Sequence, residues 1–186
     1  MDINNFTKTE QKIITLLSNY PNKEFFCRQI ANKLNVSVGG VSESLRRLAK
    51  KKLIESHKQG NMKFYQIIED NPVVKQYKIN LAMNRINPLI KKLKAKSLGI
   101  ILFGSASRGE QTIDSDIDLF VLTNHKGEVR KILHSASNKL SIKAVIKTPN
   151  EWSELEVKEP EFYKEVQKGI KLYQTIKIIG SAVIYA

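Results

Sequence analysis

Apolar and polar positions alternate between two periods along this chain, and the change of period marks its organisation. In KTEQKIITLLSN, residues 8–19, the apolar residues Ile13, Ile14, Leu16 and Leu17 cluster as on one side of a helix. Thr7 stands where a cap is needed, and Pro21 closes the segment. FCRQIANKLN places Cys27, Ile30, Ala31 and Leu34 on one stripe, which predicts a second helix. Ser37 then caps VGGVSESLRRLAKKK, where Val38, Val41, Leu45 and Leu48 form the expected buried face. From residue 53 the period shortens to two: LIESHKQGNMKFYQII reads as a β-hairpin turning at Gly60.

Asn71-Pro72 and Asn87-Pro88 repeat a helix-start device, an Asn able to cap and a Pro pre-set for the first turn. Two connector helices are expected, over about 72–85 and 88–96, with a break between them. Beyond these, LGIILF and SDIDLFVLT read as short strands and EVRKILHSASNKL as a helix. SIKAVIK is a further strand, giving β-α-β order. Trp152, Leu155, Phe162, Val166 and Ile170 are expected to be core residues of one or two following helices. The tail IIGSAVIYA suits either a final strand or an oligomer contact.

Composition alters this picture in one respect. The chain has 186 residues and a formal net charge of +13. Residues 1–96 hold 19 Lys and Arg against 7 Asp and Glu, whereas residues 97–186 hold 12 against 11. The excess is therefore N-terminal, which predicts a polyanionic partner for that half and different work for the other. No run approaches the ~18 apolar residues of a membrane span. No secretory signal is visible at the N-terminus, so a cytoplasmic location is expected. Cys27 stands alone, excluding an intrachain disulfide and a multi-cysteine zinc site, and is expected to be a buried structural thiol.

On the third helix the face opposite Val41 and Leu45 carries Ser42, Ser44, Arg46, Arg47, Lys50 and Lys51, and the hairpin adds Lys58 and Lys63. Small residues first and cations later suit a helix that approaches base edges while its cations reach phosphates. Residues 7–69 resemble the winged helix-turn-helix of bacterial and archaeal transcription regulators. VSVGGVSESLRRLAKKKLIE in particular looks like the recognition segment of the MarR- and ArsR-like groups. The resemblance implies double-stranded DNA as partner, with those eight residues as contacts. Helices like the connector often dimerise such regulators, so a homodimer is a further expectation.

The chemistry is concentrated in ILFGSASRGEQTIDSDIDLF, residues 101–120. On an extended strand Asp116, Asp118 and Phe120 face one way, the two carboxylates roughly 7 Å apart. Two ionised acids beside apolar residues are costly unless a cation lies between them. Mg²⁺, which favours a few carboxylates together with phosphate oxygens, fits that demand. Gly104 lets a phosphate approach the backbone, and Ser105 adds a hydroxyl. The stretch lacks the GK[ST] ending of a Walker loop and the GxGxxG of a dinucleotide fold.

GSASRGEQTIDSDIDL resembles the signature of the nucleotidyltransferase fold shared by DNA polymerase beta, CCA-adding enzymes, aminoglycoside nucleotidyltransferases and minimal nucleotidyltransferases. The resemblance implies that Gly104 and Ser105 contact a nucleoside triphosphate and that Gly109 shapes the loop. Asp116 and Asp118 would be catalytic and hold Mg²⁺ or Mn²⁺. Active members usually carry a third carboxylate on the strand after the next helix; here Ser141 to Lys147 contains no Asp or Glu and has Lys143 and Lys147. Asp114, Glu110 or Glu128 are the candidates to replace it.

The expected fold is α+β: a winged helix-turn-helix over 1–70, a helical connector over 71–96, and a nucleotidyltransferase-like domain with a small mixed sheet over 97–186. Two functions stay open. One is a DNA-binding regulator with a nucleotide-binding domain of weakened catalysis. The other is an active enzyme that moves a nucleoside monophosphate onto a hydroxyl of a protein, such as a toxin, of a nucleic acid or of a small molecule, with the winged helix as tether.

Overall fold

A computed structural model describes residues 6–137, 140–179 and 182–185. The chain divides into two compact units, Met1–Lys78 with Gly109–Asp114, and Ile79–Arg108 with Ser115–Ala186.

In the first unit, α1 (Lys8–Asn19), α2 (Cys27–Leu34) and α3 (Val38–Lys50) precede the strands β2 (Ile54–Gln59) and β3 (Met62–Ile67). Thr7 and Glu10 form a reciprocal capping box at the start of α1, and Ser37 caps α3 by accepting from the Gly40 N–H. Gly60, with φ +59°, makes the hairpin turn. Ile13, Ile14, Leu17, Ile30, Val41, Leu45 and Leu48 fill the core, as the helical stripes require. Val38, the first residue of α3, departs from its stripe and is 48% exposed. A two-residue strand, β1 (Phe25–Phe26), pairs with β3 and completes a three-stranded sheet; it is too short to leave an alternating pattern in sequence. Cys27 is half-buried, its Sγ 3.6 Å from the Val38 carbonyl, and burial pushes its thiol up. Three helices and a basic hairpin arranged in this way are a winged helix-turn-helix.

The two expected connector helices are one, α4 (Pro72–Leu93), followed by a 3-10 turn at Lys94–Lys96. Pro88 lies inside α4 without ending it. Ala82, Ile86, Leu89, Ile90 and Leu93 are all buried in one cluster, and this packing on both sides of Pro88 outweighs the missing hydrogen bond.

The second unit is built on a four-stranded sheet in the order β6-β5-β4-β7, formed by β4 (Gly99–Phe103), β5 (Ile117–Leu122), β6 (Ile142–Lys147) and β7 (Ile170–Gln174). β5 and β6 run parallel, joined by α6 (Lys126–Ser137), while β4 pairs antiparallel with β5 and β7. Period-two alternation sends Ile117, Leu119 and Val121 into one apolar cluster and Phe120 and Leu122 into another. The second cluster holds Trp152 and Leu155 of α7 (Pro149–Lys158) and Tyr163 and Val166 of α8 (Pro160–Gln167). Of the expected core residues there, Phe162 and Ile170 are partly buried. The tail forms a strand pair, β8 (Ile176–Ile179) with β9 (Ala182–Tyr185).

Candidate nucleotide site and nucleic-acid face

The candidate nucleotide site begins where β4 ends. Gly104 follows Phe103 directly with φ +66° and opens the short helix α5 (Gly104–Arg108), which carries half-buried Ser105. Phe103 pairs with Asp118 across the β4–β5 ladder, so the Asp118 carboxylate stands against the Gly104 backbone. A Cβ at residue 104 would lie 2.3 Å from Asp118 Oδ2. Glycine there gives both the left-handed turn and the close approach.

Asp118 shares a strand face with Phe120, and Asp116 precedes the strand by one residue. The two acids differ in surroundings. Asp116 accepts a bond from the Ser141 hydroxyl through Oδ1, and its Oδ2 is 2.6 Å from Lys143 Nζ. Lys143 first and Ser141 second hold the Asp116 carboxyl below the usual range. Burial lifts the Asp118 carboxyl above its ordinary value; the Lys143 and Arg108 charges oppose the rise, while Asp116 and Glu165 add to it. Arg108 pairs with Glu165 at 3.5 Å beside the site. Two neighbouring carboxylates, one of them undercompensated, and a glycine cradle that a side chain would fill suit a divalent ion accompanying a polyphosphate.

β6 supplies no acid to the pair; the further carboxylate that acts on Asp118 is Glu165 of α8, itself paired with Arg108. Lys143 pairs with Asp118 across the parallel β5–β6 ladder, on the strand where a third carboxylate was expected. Among the described residues, no group of three or more His, Cys, Asp or Glu could hold a metal. Glu128 is bound to Lys96 at 2.6 Å, and Glu110 and Asp114 belong to the first unit. Gly109, with φ +71°, also lies in the first unit; a Cβ there would meet the Lys75 carbonyl oxygen at 2.3 Å. Ser141 and Lys143 are the site residues that sequence reasoning missed as partners of Asp116. The parallel register of β5 and β6 was the signal that could have found them.

On the first unit, Ser42 and Arg46 of α3 and Lys63 of β3 line an open cleft of about 550 Å³ with Gly39, Glu43, Ala49 and Tyr65. Lys50 is exposed on α3, and Lys58 lies directly across the hairpin from Lys63. Four of the eight expected contact residues make other contacts within the unit; one is Lys63, whose Nζ lies 5.5 Å from the centre of the Tyr65 ring. Ser44 is 1% exposed, its hydroxyl donating to the Gly40 carbonyl, because it falls on the Val41–Leu45 side of the helix. Arg47 pairs through Nε with buried Glu10 at 2.9 Å and through Nη1 with Glu43 at 2.5 Å. Lys51 places its Nζ 4.7 Å from the centre of the Phe6 ring.

A mixed sheet carrying a Gly-Ser turn beside a spaced aspartate pair defines a nucleotidyltransferase-type domain. The chain belongs to the nucleotidyltransferase domain family, which it matches over residues 83–185. No curated protein matches it. Among solved structures it is similar to the adhesin competence repressor AdcR of Streptococcus pyogenes, at 21% identity over 50% of this chain and 72% of that one, with a TM-score of 0.37. Wild-type ZitR of Lactococcus lactis in complex with DNA matches at 22% identity, over 51% of this chain and 64% of its own, TM-score 0.37. Reduced HlyU of Vibrio cholerae matches at 18%, over 42% of this chain and 76% of its own, TM-score 0.35. The family match covers the second unit and the end of α4, and the winged helix-turn-helix of the first unit stands on its own element order and sheet.

Proposed function

We propose that this protein is a DNA-binding transcription regulator whose nucleotidyltransferase domain takes a nucleoside triphosphate as a ligand, with turnover weakened. The observation that carries the reading is Lys143, a cation 2.6 Å from Asp116 on the strand where a third carboxylate would assist attack. A lysine at that point pairs with the acid and leaves no carboxylate there to take a proton from an attacking hydroxyl.

In this reading Gly104 and Ser105 receive the phosphates, and Gly109 sets the course of the loop that follows. Asp116 and Asp118 would hold Mg²⁺ or Mn²⁺, which when bound neutralises charge on the polyphosphate. Ser42 approaches the bases of duplex DNA, while Arg46, Lys50, Lys58 and Lys63 reach its phosphates. No helix among the described residues is long and apolar enough to cross a membrane.

Fluorescence anisotropy with labelled duplex DNA and a labelled triphosphate tests both halves. Duplex binding with steep salt dependence and saturable triphosphate binding are expected; weak, salt-independent association with DNA refutes the regulator. Membership of the nucleotidyltransferase family favours a second reading, an active enzyme. There an acceptor hydroxyl bonds the α-phosphorus and pyrophosphate leaves. Label transfer from an NTP into a cell extract, abolished by Asp116→Ala, would establish that reading over the first.

A further inference from the structure

Both oxygens of Asp116 are occupied from one side. Ser141, just ahead of β6, donates to Oδ1, and Lys143 on β6 places its ammonium 2.6 Å from Oδ2. Parallel pairing sets Lys143 beside Asp118, so a single ammonium lies bonded to one carboxylate and next to the other. This is where two close acids call for positive charge. The lysine side chain is 73% exposed while Asp116 is 27% exposed, so the ammonium reaches in from solvent on a stem that packing does not confine.

From this placement we infer that Lys143 is the resident counter-ion of the aspartate pair, a tethered cation that a divalent ion must displace before it can be held by both acids. Tethering gives the ammonium an effective concentration of roughly millimolar or above, comparable with that of a free divalent ion competing for the same oxygens. The inference rests on the nucleotide-binding reading and refines it: a divalent ion that accompanies a triphosphate into the wild-type site must first take the place of Lys143 at Asp116.

The test compares the wild-type protein with Lys143→Met, which keeps the stem and removes the charge, and with Lys143→Arg, which keeps the charge. Mn²⁺ binding is measured by electron paramagnetic resonance, and binding of a fluorescent ATP analogue is measured in EDTA and in Mg²⁺. Lys143→Met should bind Mn²⁺ at least about tenfold more tightly than wild type, whereas Lys143→Arg should stay near wild type. As Mg²⁺ is raised, Lys143→Met should reach full analogue binding at a lower Mg²⁺ concentration than wild type or Lys143→Arg. Equal Mn²⁺ affinity in wild type and Lys143→Met overturns the inference, as does an equal Mg²⁺ requirement of the two for analogue binding. If no protein binds the analogue under any condition, the nucleotide reading fails, and the Mn²⁺ comparison still decides the role of Lys143. Amide exchange across β5 and β6 confirms that each variant is folded.

Discussion

Arg46 and Arg47 are adjacent in sequence, yet removing the second should destabilise the fold and removing the first should not. The Glu10 side chain is 2% exposed, and Arg47 bonds its Oε1 while the Thr7 N–H bonds its Oε2. Truncating Arg47 to Ala leaves one oxygen of a buried carboxylate without a partner, a cost of ~1–3 kcal/mol. That is below the 3–5 kcal/mol typical of a wholly buried pair, because Arg47 is itself 37% exposed and Oε2 keeps its bond. Loss of the exposed Glu43 pair adds under ~0.5 kcal/mol. Arg46→Ala, at an exposed position, should change stability by less than ~0.5 kcal/mol.

The pH dependence supplies a second check. Burial pushes Glu10 up, but the Thr7 backbone bond, Arg47 and Lys51 together hold it below the ordinary glutamate value. Its stabilisation in wild type is therefore full above that ordinary value and lost as pH falls through the lower folded value. Without Arg47, burial is opposed by less, so the penalty is full at pH 7 and lifts as Glu10 protonates. The gap between the two proteins should close on acidification. Hydrogen exchange of the α1 and α3 amides at pH 7 and pH 4 reads both quantities for this unit. A loss under ~0.5 kcal/mol at pH 7, or one that does not shrink at pH 4, refutes the account.

Arg46→Ala combined with Lys63→Ala should weaken duplex binding and lower the salt slope by about 1–2, as measured by anisotropy between 50 and 200 mM salt. Gly104→Ala should push the Asp118 carboxylate aside and impose a strained φ, weakening triphosphate binding at least about tenfold for a stability loss of ~1–2 kcal/mol. A titration calorimeter and a thermal melt separate those two effects. Gly109→Ala should cost more, ~2–3 kcal/mol in melting, because its Cβ would meet Lys75 backbone atoms, which cannot rotate away.

Local pattern was enough for much of this protein. The limits of α1 coincide with KTEQKIITLLSN because capping and periodicity act within a dozen residues. The hairpin turn at Gly60 and the alternation of β5 were legible for the same reason: each follows from a period and a turn residue. The Gly-Ser turn and spaced aspartates were legible because strand end, turn and acids are close in sequence.

What sequence left open depended on neighbours distant along the chain. Burial on both sides of Pro88 made one helix of two expected ones. Helix rotation against the core assigned Ser42 to solvent and Ser44 to the interior, and an acid 37 residues away claimed Arg47. The parallel pairing of β5 and β6 brought Lys143 to Asp116, across 27 positions that no local period connects. Period, caps and turns specify which elements form; only their packing settles which charge stands beside which, because Coulombic partners are chosen by distance in space.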